Sequence, residues 1–302
     1  MYKNLNCDLL GISGRQSEII ELALTYGFRG IEIDMDDLVK RCGRSSFESA
    51  SRFIASSKLK IAGFDAPIDL DSDDESFTTQ LAQLSGVAEI AGRASANTAI
   101  VTIPRGTNRL PYPEYFDVVR KRIDQIAEVF AKEGVRVALA FHAQASDAEE
   151  KQFKFVRDVE GFTAVVRACT SKNVAILYDS WNWFVGGGTA EQLEQIGLQR
   201  VASLRLSDCR EGVSASDATA DDCLLPGTTD TIDNVSLLQK FAEAKLKLPV
   251  SACGKSLDDS AKRDGLVAAA QDSLDKTFEA AGIPSETRKP EMFAETSYSR
   301  SY

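Results

Sequence analysis

A single histidine, His142, sets the first bound on the chemistry open to this chain. Histidine is the commonest metal ligand and proton shuttle. Any mechanism that needs two of them within one chain is excluded. The other chemistry-bearing residues follow short apolar or β-branched runs. They are Glu32 with Asp34, Phe64 with Asp65, Pro104 with Arg105, Ala140 with His142, Asp179 with Asn182, Arg205 with Asp208, and Cys253 with Lys255. The carboxylates Glu32, Asp34 and Asp179 suit proton transfer. The cations Arg105, Arg205, Arg210 and Lys255 suit an anion, because a guanidinium fork matches a carboxylate or phosphate. Trp181 and Trp183 either stack on a sugar ring or pack as core. Plainer roles stand beside each of these. His142 also reads as a hydrogen-bonding strand-end side chain, Cys253 as a small buried hydrophobe, Asp179 with Arg205 as an ion pair, and Glu32 and Asp34 as caps or loop acceptors.

These residues need a scaffold that gathers strand ends. Short strand-like runs alternate with longer amphipathic ones, which argues for βα units and a parallel sheet. The pattern predicts strands at 7–12, 30–33, 60–64, 98–103, 136–141, 174–178, 202–206 and 249–252. It predicts helices at about 16–26, 47–57, 75–91, 115–132, 162–170, 190–196, 235–245 and 263–280. A polar segment, 144–152, and a long aperiodic loop, 208–233, lie between elements. Eight such units close into a (β/α)₈ TIM barrel, an α/β fold whose active site sits at the C-terminal ends of the strands. One barrel domain is expected over 1–302, with a tail from about 283 that wraps the barrel, frays or reaches a neighbour in a homo-oligomer.

The 302 residues are 43% apolar and 26% charged, an ordinary globular balance. A net charge of −10 disfavours phosphate backbones and anionic lipid, so neither nucleic acid nor membrane is an expected partner. No apolar run is long enough to span a bilayer. The opening Met1-Tyr2-Lys3-Asn4 lacks signal-peptide features. Six scattered cysteines without a CxxC pair read as reduced thiols, and the cytoplasm is the default compartment.

Five segments in order carry a resemblance. They are Gly-Val-Arg-Val-Ala-Leu-Ala-Phe-His (134–142), Ile-Leu-Tyr-Asp-Ser-Trp-Asn-Trp (176–183), Ala-Ser-Leu-Arg-Leu-Ser-Asp (202–208), Leu-Pro-Gly (225–227) and Pro-Val-Ser-Ala-Cys (249–253). Together they resemble the sugar phosphate isomerase/epimerase family of xylose isomerase-like barrels. That resemblance implies one divalent metal held by a Glu, an Asp, a His and a second Glu at the ends of strands five to eight. The metal would hold two sugar oxygens while carboxylates move a proton. Carried over, the four ligand positions fall on Ala140, Asp179, Arg205 and Cys253. Only Asp179 can serve. A frequent histidine three residues after the Asp falls on Asn182. A basic residue before the Pro-Gly turn falls on Cys223, and an acidic one after it on Thr228.

The expectation is therefore a barrel that acts on or binds a small sugar-like molecule, with the usual metal chemistry lost or altered. No cofactor is expected. Mn²⁺ or Zn²⁺ would enter only through a rearranged site of His142, Asp179 and Cys253. Ligand contacts are expected from Glu32, Arg105, His142, Asp179, Trp181, Arg205, Asp208, Arg210, Cys253 and Lys255. Glu32, His142 and Asp179 are the catalytic candidates. Three readings stay open: an altered isomerase or epimerase, a non-catalytic binder of an anionic metabolite, and a structural or regulatory subunit.

Overall fold

The computed structural model describes residues 1–144, 151–258 and 260–285. Eight parallel strands form a closed barrel: β1 Tyr2–Leu5, β2 Gly30–Glu32, β3 Lys60–Asp65, β4 Thr98–Thr102, β5 Arg136–Ala140, β6 Val174–Asp179, β7 Val201–Leu206 and β8 Pro249–Ala252. Each strand pairs with its sequence neighbours, and β8 closes on β1 through Tyr2↔Pro249 and Lys3↔Val250. The chain is a (β/α)₈ barrel, as the alternation predicts.

The helices are α1 Gln16–Thr25, α2 Met35–Arg44, α3 Phe47–Ser57, α4 Asp74–Arg93, α5 Tyr112–Ala131, α6 Val159–Ala168, α7 Ser180–Val185, α8 Ala190–Ile196, α9 Asn234–Glu243 and α10 Arg263–Ala280. Most of the core lies between strands and helices, where Phe64, Phe130, Phe162, Phe241 and Phe278 are almost wholly enclosed. A second apolar cluster, Ile100, Ala138, Ala140, Ala175, Leu177 and Ala202, comes only from β4 to β7 and fills that side of the barrel interior. Small residues fit there because the space inside a barrel of eight strands is just wide enough for side chains.

The first strand is a correction. It runs over Tyr2–Leu5, not over 7–12, where the chain makes a 3₁₀ turn, Asp8–Leu10, ended by Gly11 at φ +66°. The sequence of β1 hides its burial. Lys3 is 4% exposed and pairs with Asp275 of α10 at 2.5 Å, and Asn4 is 1% exposed inside the barrel. Two polar residues made buried strand look like surface, while Leu9, Leu10 and Ile12 look like strand but belong to the mouth.

Two helices are additions to the predicted set. In α2 only Met35 and Leu38 are buried, too few to make an apolar stripe, yet the helix holds. Asp34 accepts the Asp37 amide at 2.9 Å as its cap, and Asp37 pairs with Arg41 at 3.0 Å. Short α7 is capped by Asp179. Two-residue strands pair antiparallel in the loops, Gly106–Thr107 with Phe153–Lys154 and Asp208–Cys209 with Cys223–Leu224. Most of the polar segment 144–152 and the tail beyond Ser285 lie outside the described residues.

Strand packing at β2 has no spare room. A methyl at Gly30 would sit 2.7 Å from the Tyr2 ring, 2.8 Å from Asn4 Oδ1 and 3.2 Å from the Lys60 carbonyl. Backbone on one side, with the half-buried Tyr2 ring and the buried Asn4 on the other, cannot all give way. Gly30→Ala is expected to lose about 2 kcal/mol by overpacking, read as a lower denaturant midpoint with an unchanged slope. A neutral result would mean that β1 and β2 do not pack as described.

Candidate functional site

Strand polarity brings the C-terminal ends of all eight strands to one mouth. Residues of one strand that alternate share a face, so Asp179 follows Ala175 and Leu177 toward the barrel interior. In the sheet register Arg205 lies beside Asp179 on one side and Ser251 on the other. Its guanidinium does not settle on Asp179. It reaches past β8 and β1 to β2, where Nη2 donates to Glu32 Oε2 at 3.0 Å. Both side chains are nearly enclosed, with 12% and 10% of their surface exposed.

A polar layer supports this pair. Asn6 donates to Glu32 Oε2 at 2.7 Å, and Asn4 donates to Ser251 Oγ at 2.8 Å and to Glu32 Oε1 at 3.4 Å. Among the described residues, Arg205 Nε is buried without a hydrogen-bond partner. Burial pushes the Glu32 carboxyl pKa up, and Arg205 pulls against that rise. For Arg205, burial works to lower the pKa, but Glu32, Asp179 and Asp65 outweigh it and hold the cation firmly. The mouth thus carries a fixed positive charge set among three carboxylates.

His142 stands just beyond β5, exposed at the same mouth. The surrounding protein still lowers its pKa by desolvation, and Asp179 opposes this while Arg205 and Arg105 add to it. The imidazole is therefore neutral at pH 7. Arg105 donates to the His142 carbonyl at 3.0 Å, which fixes the strand end. Asn182 accepts the Ala143 amide at 2.9 Å and donates its own amide to Asp179, 2.9 Å away. Beside this centre a cavity of about 370 Å³ is lined by Asn6, Asp8, Glu32, Asp34, Asp36 and Asp65. A second, of about 530 Å³, has Leu9, Leu10, Trp181, Leu225, Cys223 and Cys253 in its wall.

Some expected ligand residues are committed elsewhere. Asp208 is wholly buried and accepts four backbone amides, those of Cys209, Thr229 and Asp230 at 2.8 Å and of Ile232 at 3.0 Å. Burial works to raise its pKa, but the four amides prevail and lower it. It organises its own loop and does not face the mouth. Arg210 pairs with Asp222 at 3.0 Å and Lys255 with Asp221 at 2.5 Å, both near the surface. Trp183 packs in the outer core against Tyr178 and Phe162. Trp181 is buried and donates its indole N–H to Gln144 at 3.2 Å. The structure thus gathers Glu32, Asp65, His142, Asp179, Arg205 and Cys253, and keeps Asp208, Arg210 and Lys255 apart from them. Asn4, Asn6 and Ser251 are additions that sequence reading missed. The alternation of Asn4 and Asn6 about Leu5 was the available signal.

A family model described as a xylose isomerase-like TIM barrel matches residues 20–277. The chain belongs to the xylose isomerase-like TIM barrel family. Its barrel is similar to that of a xylose isomerase domain protein from Alicyclobacillus acidocaldarius, at 21% identity and a TM-score of 0.79, over 93% of this chain and 99% of that one. It is also similar to the IolI protein solved with a bound zinc atom, at 17% identity and a TM-score of 0.75, over 93% and 98% of the two chains. A third is 3-keto-D-glucoside 4-epimerase from E. coli, at 17% identity and a TM-score of 0.64, over 92% and 98%. At these identities the likeness is one of fold. No curated protein sequence matches the chain.

The residues present do not fit the divalent ion that the family implies. Among the described residues no three His, Cys, Asp or Glu side chains form a group able to hold a metal. His142, Asp179 and Cys253, though at the same mouth, are not such a group either. Ala140 has no donor atom, and Arg205 is always protonated and cannot ligate. Its charge opposes a cation beside Asp179 by roughly 4 kcal/mol per unit charge at ~4 Å and an effective dielectric near 20.

Two stability outcomes follow. Arg205→Met leaves Glu32 buried and unpaired and is expected to cost about 3–5 kcal/mol. Adding Glu32→Gln should recover most of it, and a double variant as unstable as the single one would contradict the pairing. Asp208→Asn should cost roughly 2 kcal/mol by weakening charge-assisted amide bonds. Because the folded Asp208 pKa is lowered, this difference should be full above about pH 3.8 and shrink as pH falls through the folded value. Chemical denaturation across pH reads both.

Proposed function

We propose that the barrel mouth is a metal-independent site for a small, uncharged, sugar-like molecule. The observation that carries this reading is the Arg205–Glu32 pair across the mouth, 3.0 Å apart. It supplies a positive charge where the family resemblance implies a metal ion. The buried Arg205 Nε offers a further donor to a hydroxyl or carbonyl oxygen. Glu32, Asp179 and neutral His142 offer acceptors to sugar hydroxyls. The anionic-metabolite alternative loses support, because Arg210 and Lys255 are paired with aspartates and the adjoining cavity is lined by carboxylates. We place the protein with the sugar isomerases and epimerases by architecture, and read its usual metal chemistry as replaced.

An enzymatic form of this reading has a specific support. A guanidinium can stabilise the oxygen of an enediolate electrostatically, and Glu32 has the raised pKa that suits a general base. Glu32 would take the proton beside a sugar carbonyl while Arg205 holds the developing oxyanion.

Calorimetry of chelator-treated protein against neutral aldoses and ketoses, and against their phosphates, tests the site. Binding of a neutral sugar, unchanged by chelator, is expected. Arg205→Lys keeps the charge but loses the fork and should weaken it about tenfold, or ~1.4 kcal/mol. Binding that appears only with added Mn²⁺ or Zn²⁺, or only for sugar phosphates, would sink the reading. Deuterium uptake from solvent into the bound sugar separates turnover from binding.

A further inference from the structure

Cys223 and Cys253 are thirty positions apart in sequence, yet the fold sets them against each other at the mouth. Cys223 opens the two-residue strand in the loop after β7, and Cys253 follows β8 directly. Backbone bonds zip the two segments together: the Lys255 amide donates to the Cys223 carbonyl at 2.8 Å, and the Leu225 amide to the Lys255 carbonyl at 3.1 Å. The Cys253 amide donates to Leu206 at 2.8 Å, so its strand end is fixed as well. Gly254 sits at φ +122° with no room for a side chain against the Leu224 backbone, which lets the chains approach this closely. Both cysteines are free, both line the 530 Å³ cavity, and each thiol lies in the electrostatic surroundings of the other.

We propose that Cys223 and Cys253 form a reversible disulfide that ties the β7 and β8 loops across the mouth. A low-molecular-weight disulfide such as oxidised glutathione is the oxidant. The Cys253 thiolate attacks one of its sulfurs and releases one reduced thiol as a mixed disulfide forms. Cys223, losing its proton, then attacks the Cys253 sulfur and releases the second. Two protein thiols are oxidised by two electrons, and the small disulfide is reduced to two thiols. The order of attack follows from the surroundings. The neighbouring Cys223 thiol holds the Cys253 thiol below its ordinary pKa against burial, and Arg205 assists. The neighbouring Cys253 and burial push Cys223 up. Cys253 is also the less buried of the two.

Cys209 is the rival partner, since it lies opposite Cys223 in the antiparallel register. It is wholly buried, and its thiol is directed to the Val213 carbonyl at 3.9 Å. The proposal does not rest on the sugar-like ligand. It does tie that site to redox state, because Cys253 neighbours Arg205 and Asp179.

The test is peptide mapping of the full chain without reduction, after equilibration in glutathione buffers of graded poise. One linked pair, 223 with 253, is expected, with two of the six thiols lost and both regained on dithiothreitol treatment. Cys42→Ser should leave the link intact, while Cys223→Ser should leave glutathione trapped on Cys253. A 209–223 link, a stable glutathione adduct on wild-type Cys253, or six thiols still titrating under oxidising poise would each overturn the proposal.

Discussion

The ion pair between Arg205 and Glu32 sets the terms for the rest of the mouth. A charge taken out of water is costly unless it is paired and its remaining hydrogen-bonding positions are met. Arg205 leaves β7 and Glu32 leaves β2, so the pair exists only once β8 has closed on β1. That closure also brings Asn4, Asn6 and Ser251 under the carboxylate. The interior divides accordingly. The β4 to β7 side is filled by alanines with Ile100 and Leu177, and the side toward β8, β1 and β2 is a polar network. A polar layer of this kind fixes one arrangement of strands, because a shift of register would strand a buried charge.

The loops around that centre are built from their own polar groups. Asp208 gathers four amides of its loop, Asp179 caps α7, and Asp34 caps α2. Carboxylates that terminate strands thus do two kinds of work, and only some face the cavity. The four amides hold the Asp208 carboxyl below its ordinary pKa, whereas burial raises that of Glu32. This difference separates scaffold from candidate chemistry better than residue type does.

The barrel was legible because helical and strand periods alternate through most of the chain. α10 is found where its stripe predicted it, over 263–280, since a long amphipathic run admits few other readings. β1 was not legible. Its buried Lys3 and Asn4 owe their burial to partners at Asp275 and Ser251, which are distant in sequence. The mouth was legible as a set of strand ends, and Glu32, Asp179, Arg205 and Cys253, which meet there, were all named from it. Their pairing was not. Nothing in the order of residues says that Arg205 passes over its neighbour Asp179 to reach Glu32, because that choice depends on barrel curvature. Asp208 was misjudged as a ligand residue for a related reason: four backbone amides leave no trace in side-chain identity.

A guanidinium differs from a dication in ways that shape what such a mouth can do. A metal ion draws its ligands from several strand ends and can bind two substrate oxygens at once. Arg205 carries one charge, is planar, and already gives one edge to Glu32. What remains is directional donation, with Nε still without a hydrogen-bond partner. The positions where the family resemblance implies a Glu and a His hold Ala140 and Arg205 in this chain. Once a fixed cation stands at the seventh strand, a glutamate at the fifth has no metal to hold. An alanine there joins the apolar cluster of Ala138 and Ala175 instead. Asp179 does two things here, as the cap of α7 and as a carboxylate that helps keep the nearly enclosed Arg205 charged.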